Sequence, residues 1–299
     1  MSVSQRKQKM TLEKKHSLTG WGFLMPAALL ILIMNFYPML KALLLSFQTG
    51  KGNILKFAGL YNYQRMLQDQ VFIQSVKNCF LYLIIQVPIM LILALMLASM
   101  LNNKDLKFKG LFRTAIFLPC ATSLVSYATI FRSLFATDGL INTALIKLGI
   151  LDVGYSFLTH ATSARIVIIL ALIWRWTGYN MVFYLAAFQN IDYSIYEAAC
   201  IDGASAFDIF RKMTVPLLKP TILLTVIMST NGTLQLFDES VNLTGGGPAN
   251  ATITMSHYIY DMSFKYVPNF GYAAAMSYLI LVLVAVLAFI QMKAGDSRE

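Results

Sequence analysis

Charge is scarce in this chain. Only 13% of its 299 residues are Asp, Glu, Lys or Arg, about half of what an ordinary soluble domain carries, and this excludes such a domain. Cysteine is nearly absent. Cys79, Cys120 and Cys200 are scattered in or beside apolar segments, so neither a disulfide framework nor a C-x-x-C metal pattern is available. No G-x-x-x-x-G-K-[ST] phosphate loop occurs, and the chain lacks that route to ATP binding and hydrolysis. Acidic groups are almost missing from the apolar runs, with Asp238 and Glu239 at the outer end of the fifth. His16, His160 and His257 lie in tails or connecting loops. A proton- or sodium-coupled carrier would need such groups within its spans, and an intramembrane hydrolase would need a catalytic pair or H-E-x-x-H there. No internal repeat is visible, which argues against inverted-repeat carrier folds. The first apolar run has no small-x-small cleavage site after it and reads as a retained span.

What is abundant is apolar length. Hydrophobic residues make up 57% of the chain and mean hydropathy is +0.62. Six runs stand out, at 21–47, 76–101, 111–135, 165–188, 215–237 and 271–292. Each spans a hydrocarbon core of about 30 Å as a helix rising about 1.5 Å per residue. Runs this long satisfy their backbone as helices, and the period-2 pattern of a membrane barrel is absent. The expected fold is therefore an all-α integral membrane protein with six transmembrane helices. The formal charge of +10 fits cytoplasmic loops better than a nucleic-acid partner, and none is expected. Arg6, Lys7, Lys9, Lys14 and Lys15, then Lys104, Lys107, Lys109 and Arg113, then Arg211 and Lys212, and finally Lys293 and Arg298 all fall on one side. The positive-inside rule makes that side cytoplasmic and places both termini there. The expected organisation is a basic tail (1–20), a first span (21–47), an external loop (48–75), a five-helix core (76–292) and a short cytoplasmic tail (293–299). Within the core, residues 193–214 form a cytoplasmic loop.

That loop interrupts the oil with "YEAACIDGASAFDIFRKMTVPLLKP" from Tyr196 to Pro220. Ser194 and Glu197 have capping-box spacing, and Gly203 sits where a left-handed residue ends a helix. Ser205 and Asp208 repeat the spacing for a second helix through about Met213. Pro216 then falls in the first turn of the next span, and Pro220 is placed to kink it. Alanines at 198, 199, 204 and 206 make narrow faces. The pattern fits a helix–bend–helix foot for protein docking, or an interfacial helix on lipid headgroups; its acidic first half disfavours anionic lipid.

The same stretch resembles the EAA motif of ABC importer permeases, with Glu197, Ala198, Ala199, Asp202, Gly203, Ala204, Phe210 and Pro216 matching. "LTGGGPANAT" at Leu243–Thr252, "FAGLYNYQRML" at Phe57–Leu67, "KGLFRTAIFLP" at Lys109–Pro119 and "WRWTGYN" at Trp174–Asn180 are similar to the maltose-type, first-permease (MalF-like) sugar family. The resemblance covers nearly the whole chain and implies a MetI-like permease architecture. It implies a coupling foot (Glu197, Ala198, Ala199, Asp202, Gly203, Ala204 and Phe210) that docks on a cytoplasmic ATPase, with Glu197 facing a basic residue there. It further implies a second homologous permease, an ABC ATPase dimer carrying ATP and Mg, and an extracytoplasmic sugar-binding protein touching Gly245, Gly246, Gly247 and Pro248. This chain itself would hold no catalytic residue, cofactor or metal.

Polar groups inside spans mark a path. Arg175 falls near mid-membrane, and Tyr179 lies one turn away on the same face. Ser229 and Thr233 share one face of the fifth span, with Asn231 and Gln235 beside it. Ser123 and Tyr127 stand at i, i+4 in the third. The resemblance places Arg175, Trp176, Tyr179, Ser229 and Thr233 along the translocation path. Its third-span positions fall on Cys120 and Leu124, less polar than a sugar site suggests. Rings beside hydroxyls and amides suit a sugar. Arg175 has two readings: a bidentate grip on an anionic sugar, or a buried pair or cation–π contact with Trp174 or Trp176.

Overall fold

A computed structural model describes residues 12–51, 54–103, 106–192 and 194–295. Arg6, Lys7, Lys9, Lys104 and Arg298 of the orientation argument lie outside these residues. Among the described residues, four helices are long and apolar enough to cross a membrane as continuous rods, at Thr19–Ser46, Gln70–Asn102, Ala161–Phe188 and Phe270–Gly295. The expected third and fifth spans are instead bent pairs. Lys109–Ala121 and Leu124–Leu134 meet at 97°, and Ala206–Leu217 and Lys219–Leu234 at 71°.

The first rod joins α1 (Leu12–Ile31) to α2 (Tyr37–Ser46) through a π-turn at Leu32–Phe36. Helix α1 thus reaches into the segment expected to be tail. Pro38 explains the π-turn, because its ring displaces the carbonyl one turn back and it donates no N–H. Trp21 and Phe23 are exposed, and no residue of the first rod's apolar centre is buried. The segment expected to be an external loop is more ordered than a loop. A two-stranded antiparallel hairpin, β1 (Gln48–Lys51) and β2 (Ile54–Phe57), leads to α3 (Tyr61–Gln68).

Helix α4 (Gln70–Asn102) starts six residues before the apolar run because Asp69 caps it, its carboxylate accepting from the Val71 and Phe72 amides at 3.0 and 3.2 Å. The same carboxylate accepts from the Tyr258 and Tyr272 hydroxyls at 2.7 and 2.8 Å. Burial works against its charge, but the two phenols and two amides outweigh it and hold the Asp69 carboxyl below its ordinary value. One side chain thus ties together α4, the segment at Tyr258 and the segment at Tyr272.

After α5 (Lys109–Ala121), α6 (Leu124–Leu134) and a short α7 (Leu140–Lys147), the central helix α8 (Ala161–Phe188) packs along α4. Ala94 and Ala98 of α4 are fully buried with Met181, Tyr184 and Phe188 of α8. Without water between helices, close backbone approach past small residues is what holds them. Gly178 serves the other side of α8: a Cβ there would collide with the Ile116 carbonyl oxygen of α5. The remaining helices are α9 (Ser194–Ile201), α10 (Ala206–Ile209), α11 (Val215–Leu217), α12 (Lys219–Leu234), α13 (Met255–Tyr260) and α14 (Phe270–Gly295).

Candidate functional site: an exposed foot and a cavity in the bundle

The foot is two short helices with a glycine bend. The Gly203 amide donates to the Cys200 carbonyl at 3.1 Å and the Ala204 amide to the Ala199 carbonyl at 3.0 Å. Together with φ of +77° at Gly203, this is a Schellman end at the expected residue. The capping box expected from Ser194 and Glu197 is replaced by Asp192. Its Oδ1 accepts from the Ser194 amide at 3.0 Å, and that bond holds its carboxyl below the ordinary value. The carboxylate two residues upstream reaches the amide first, and Glu197 stays exposed. Ser205 caps the second helix as expected, accepting from the Asp208 amide at 3.1 Å, and Asp208 pairs with Lys212 at 2.7 Å.

The second helix does not end near Met213. It runs through a π-turn at Phe210–Thr214 into α11 and stops at Leu218. Pro216 and Pro220 flank the break, so the bend falls between them rather than at Pro220 itself. Leu218 is 1% exposed and anchors this elbow in the α4–α8 core. Ala198, Asp202 and Gly203 are exposed, Ala204 is half-buried and Ala199 is buried. Phe210 faces inward and packs on the cluster of Leu185, Phe188 and Leu218. Two apolar side chains absent from the sequence reading, Ile201 and Phe207, stand 86% and 69% exposed at the tip of the foot. Apolar groups displayed at a polar loop mark an interaction face.

A cavity of about 410 Å³ opens between α4, α8 and α12. Arg175, Trp176, Tyr179, Ser229, Thr233 and Gln235 all line it. Ser123, Tyr127 and Asn231 do not: Ser123 sits at the α5–α6 break, Tyr127 is packed behind the wall on Phe131 and Trp174, and Asn231 is exposed and bonded to Gln235. The wall also contains Gln86 and Met90 of α4, Asn180 of α8, and Asp238 and Glu239 beyond α12. Gln86 was legible as a lone amide inside the apolar run around it, beside Pro88. The sequence pattern sets Asp238 and Glu239 at the outer end of the fifth run, and the structure buries Glu239 to 3% exposure in the cavity wall.

Arg175 has no acidic partner among the described residues. Its two terminal nitrogens donate to the carbonyls of Pro119 and Cys120 at 3.5 Å and of Thr122 at 3.1 Å. Its guanidinium lies 4.9 Å from the Tyr127 ring centre and 5.4 Å from that of Trp176. The Cys120 and Thr122 carbonyls are left open where α5 ends, whereas Pro119 also accepts from the Thr122 hydroxyl, and the positive group meets the negative end of that helix. The 97° bend in a lipid-embedded segment is tolerable because its backbone is satisfied from α8.

At the end of the bundle away from the foot, the "LTGGGPANAT" segment is a packed knot. Gly245 is exposed, Gly247 and Pro248 are half-buried, and Gly246 is buried against the His257 ring. Asn78 of α4 donates to the Asn250 and Ile253 carbonyls, and Arg165 of α8 to the Ala251 carbonyl at 2.8 Å. Behind it, Ser240 Oγ donates to the Thr252 carbonyl at 2.9 Å and stands 2.8 Å from His257 Nδ1. One hydroxyl proton serves one acceptor, so His257 carries its proton on Nδ1. Nε2 then faces Asp261 Oδ1 at 3.7 Å, and Lys265 faces the other carboxylate oxygen at 3.4 Å. Burial holds the imidazole below its ordinary value, against the pull of Asp261.

A multi-pass helical bundle with a broken-span cavity and an exposed foot defines a membrane permease. The chain belongs to the family of binding-protein-dependent transport system inner membrane components, which it matches over residues 71–298. It is 50% identical to the lactose transport system permease protein LacF of Rhizobium radiobacter over 97% of this chain and 98% of that one. It is 31% identical to the arabinooligosaccharides transport system permease protein AraP of Bacillus subtilis (strain 168), over 92% and 88% of the two chains. Its fold is shared with a bacterial ABC transporter involved in import of the acidic polysaccharide alginate, with a TM-score of 0.83, 23% identity, and coverage of 96% and 98%. A structure of bacterial alginate ABC transporter with its alginate pentasaccharide-bound periplasmic protein aligns at a TM-score of 0.81 and 22% identity, over 93% and 94%.

Proposed function

We propose that this chain is one permease subunit of an ATP-driven sugar importer. It pairs with a second, homologous permease and two copies of an ATPase, which binds the ATP and Mg, and it receives a sugar from an extracytoplasmic binding protein. The foot carries the reading: a helix–bend–helix that exposes Glu197, Ile201 and Phe207 and continues into a crossing that lines the cavity. The lactose and arabinooligosaccharide permeases among its relatives support a sugar as cargo. The clustering of basic residues supports cytoplasmic termini, with the Gly245–Pro248 knot on the outer, binding-protein side.

In this reading the chain does no bond chemistry. The outer knot receives the loaded binding protein, and the cavity offers amides, hydroxyls and two rings to the sugar. Closure of the ATPase pair moves the foot, and the foot moves α12. Pull-down of the ATPase on membranes carrying Glu197→Lys tests it. The variant is expected to insert normally and lose the ATPase, and undiminished recruitment would remove the docking role. Purified chain that accumulates sugar against a gradient without any ATPase would overturn the reading as a whole.

A further inference from the structure

The charges around the cavity are unevenly available. Arg175 lies in its wall, yet both terminal nitrogens are committed to carbonyls at the α5–α6 break. Its Nε is buried without a partner. No N–H fork therefore remains to grip a carboxylate with two parallel bonds. The carboxylates are placed differently. Asp238 and Glu239 line the same chamber, and the Tyr127 hydroxyl stands 3.4 Å from Glu239 Oε1, between that group and Arg175. Ionised, Glu239 repels an anion; protonated, it brings no positive charge.

The other polar wall groups are neutral. Gln86, Asn180, Gln235 and Ser229 both donate and accept, as sugar hydroxyls require. Trp176 and Tyr179 stand edge to face at 5.6 Å and present ring surface for C–H faces.

We propose that the cavity takes an uncharged, polyhydroxylated ligand and discriminates against sugars carrying a carboxylate. This rests on reading the chamber as the sugar path. Arg175 is a positioning residue for the broken crossing, and Asp238 with Glu239 excludes anions. Two like charges in one partly desolvated chamber repel strongly enough to weaken binding about tenfold or more.

The test uses the assembled importer in detergent without its binding protein, so that the selectivity of the delivery protein does not enter. Fluorescence of Trp176, with a Trp176→Phe control, follows titration with a neutral disaccharide and with the same disaccharide bearing one uronate. The neutral sugar is expected to bind about tenfold more tightly or better. Asp238→Asn and Glu239→Gln, singly and together, are expected to narrow that gap from the uronate side. Equal binding, or preference for the uronate, in the unmodified complex overturns the charge selection and leaves the sugar path standing. Binding of neither sugar overturns the sugar path and this inference with it.

Discussion

The Arg175 guanidinium stands 3.1 Å from the Thr122 carbonyl, so one side chain of the fourth crossing closes the gap in the third. Removing it strands the Cys120 and Thr122 carbonyls away from water. Arg175→Ala is expected to destabilise the protein by about 2–6 kcal/mol, at about 1–3 kcal/mol for each of the two acceptors left without a donor. Arg175→Lys, with one flexible ammonium, is expected to recover part of this. Thermal unfolding of the assembled complex in detergent checks both, and an unchanged midpoint for Arg175→Ala would contradict the capping role.

Gly203 makes a second prediction. At φ of +77° a β-carbon costs about 1–2 kcal/mol, with Asn tolerated best among the replacements. The space around Gly203 is open, so the strain is purely in the backbone. Gly203→Val is expected to distort the bend and lower ATPase recruitment, while Gly203→Asn retains most of it. Quantitative pull-down with normal membrane insertion as control separates the two.

Gly178 fails for the opposite reason. Its backbone is ordinary helix, but the Ile116 carbonyl occupies the place of a side chain. Gly178→Ala is expected to force α5 away from α8 and cost about 1–3 kcal/mol as overpacking. Larger residues should abolish accumulation of folded protein, read as the monodisperse fraction on gel filtration.

His257 gives a pH dependence. Its folded value lies below the ordinary one because it is buried, with Asp261 and Lys265 the charged groups facing it. A depressed histidine contributes stability above its unfolded value of about 6.5, and that contribution is lost as pH falls through the folded value. Thermal midpoints are therefore expected to drop as pH falls below about 6.5. His257→Asn, which can keep the donor to Ser240, is expected to flatten that slope. An identical slope in the variant would assign the loss to another group.

The apolar runs made all six crossings legible, but not their shape, because hydropathy is the same for a straight helix and for one bent at 97° between Ala121 and Leu124. Pro119 alone did not announce the break. What permits it is Arg175, more than fifty residues away. The end of α9 at Gly203 was readable because it is local chemistry, whereas its start was misjudged because two capping oxygens competed and Asp192 won. The α8 and α12 walls of the cavity were visible as polar residues at helical spacing. Its α4 wall was not, since one amide in an apolar run carries little signal. The alginate importer shares the fold, and a shared fold leaves the charge of the cargo open.

The elbow at Leu218 has a geometric consequence. Beyond it, α12 is a stiff rod of 16 residues, about 24 Å long at about 1.5 Å per residue. Swivelling this rod by about 10° about its buried pivot sweeps the far tip sideways by about 4 Å. Thr233 sits at that tip and Ser229 partway along the rod, so a modest push on the foot becomes a displacement as wide as a hydroxyl-bearing ring carbon and its neighbour, delivered in the cavity wall.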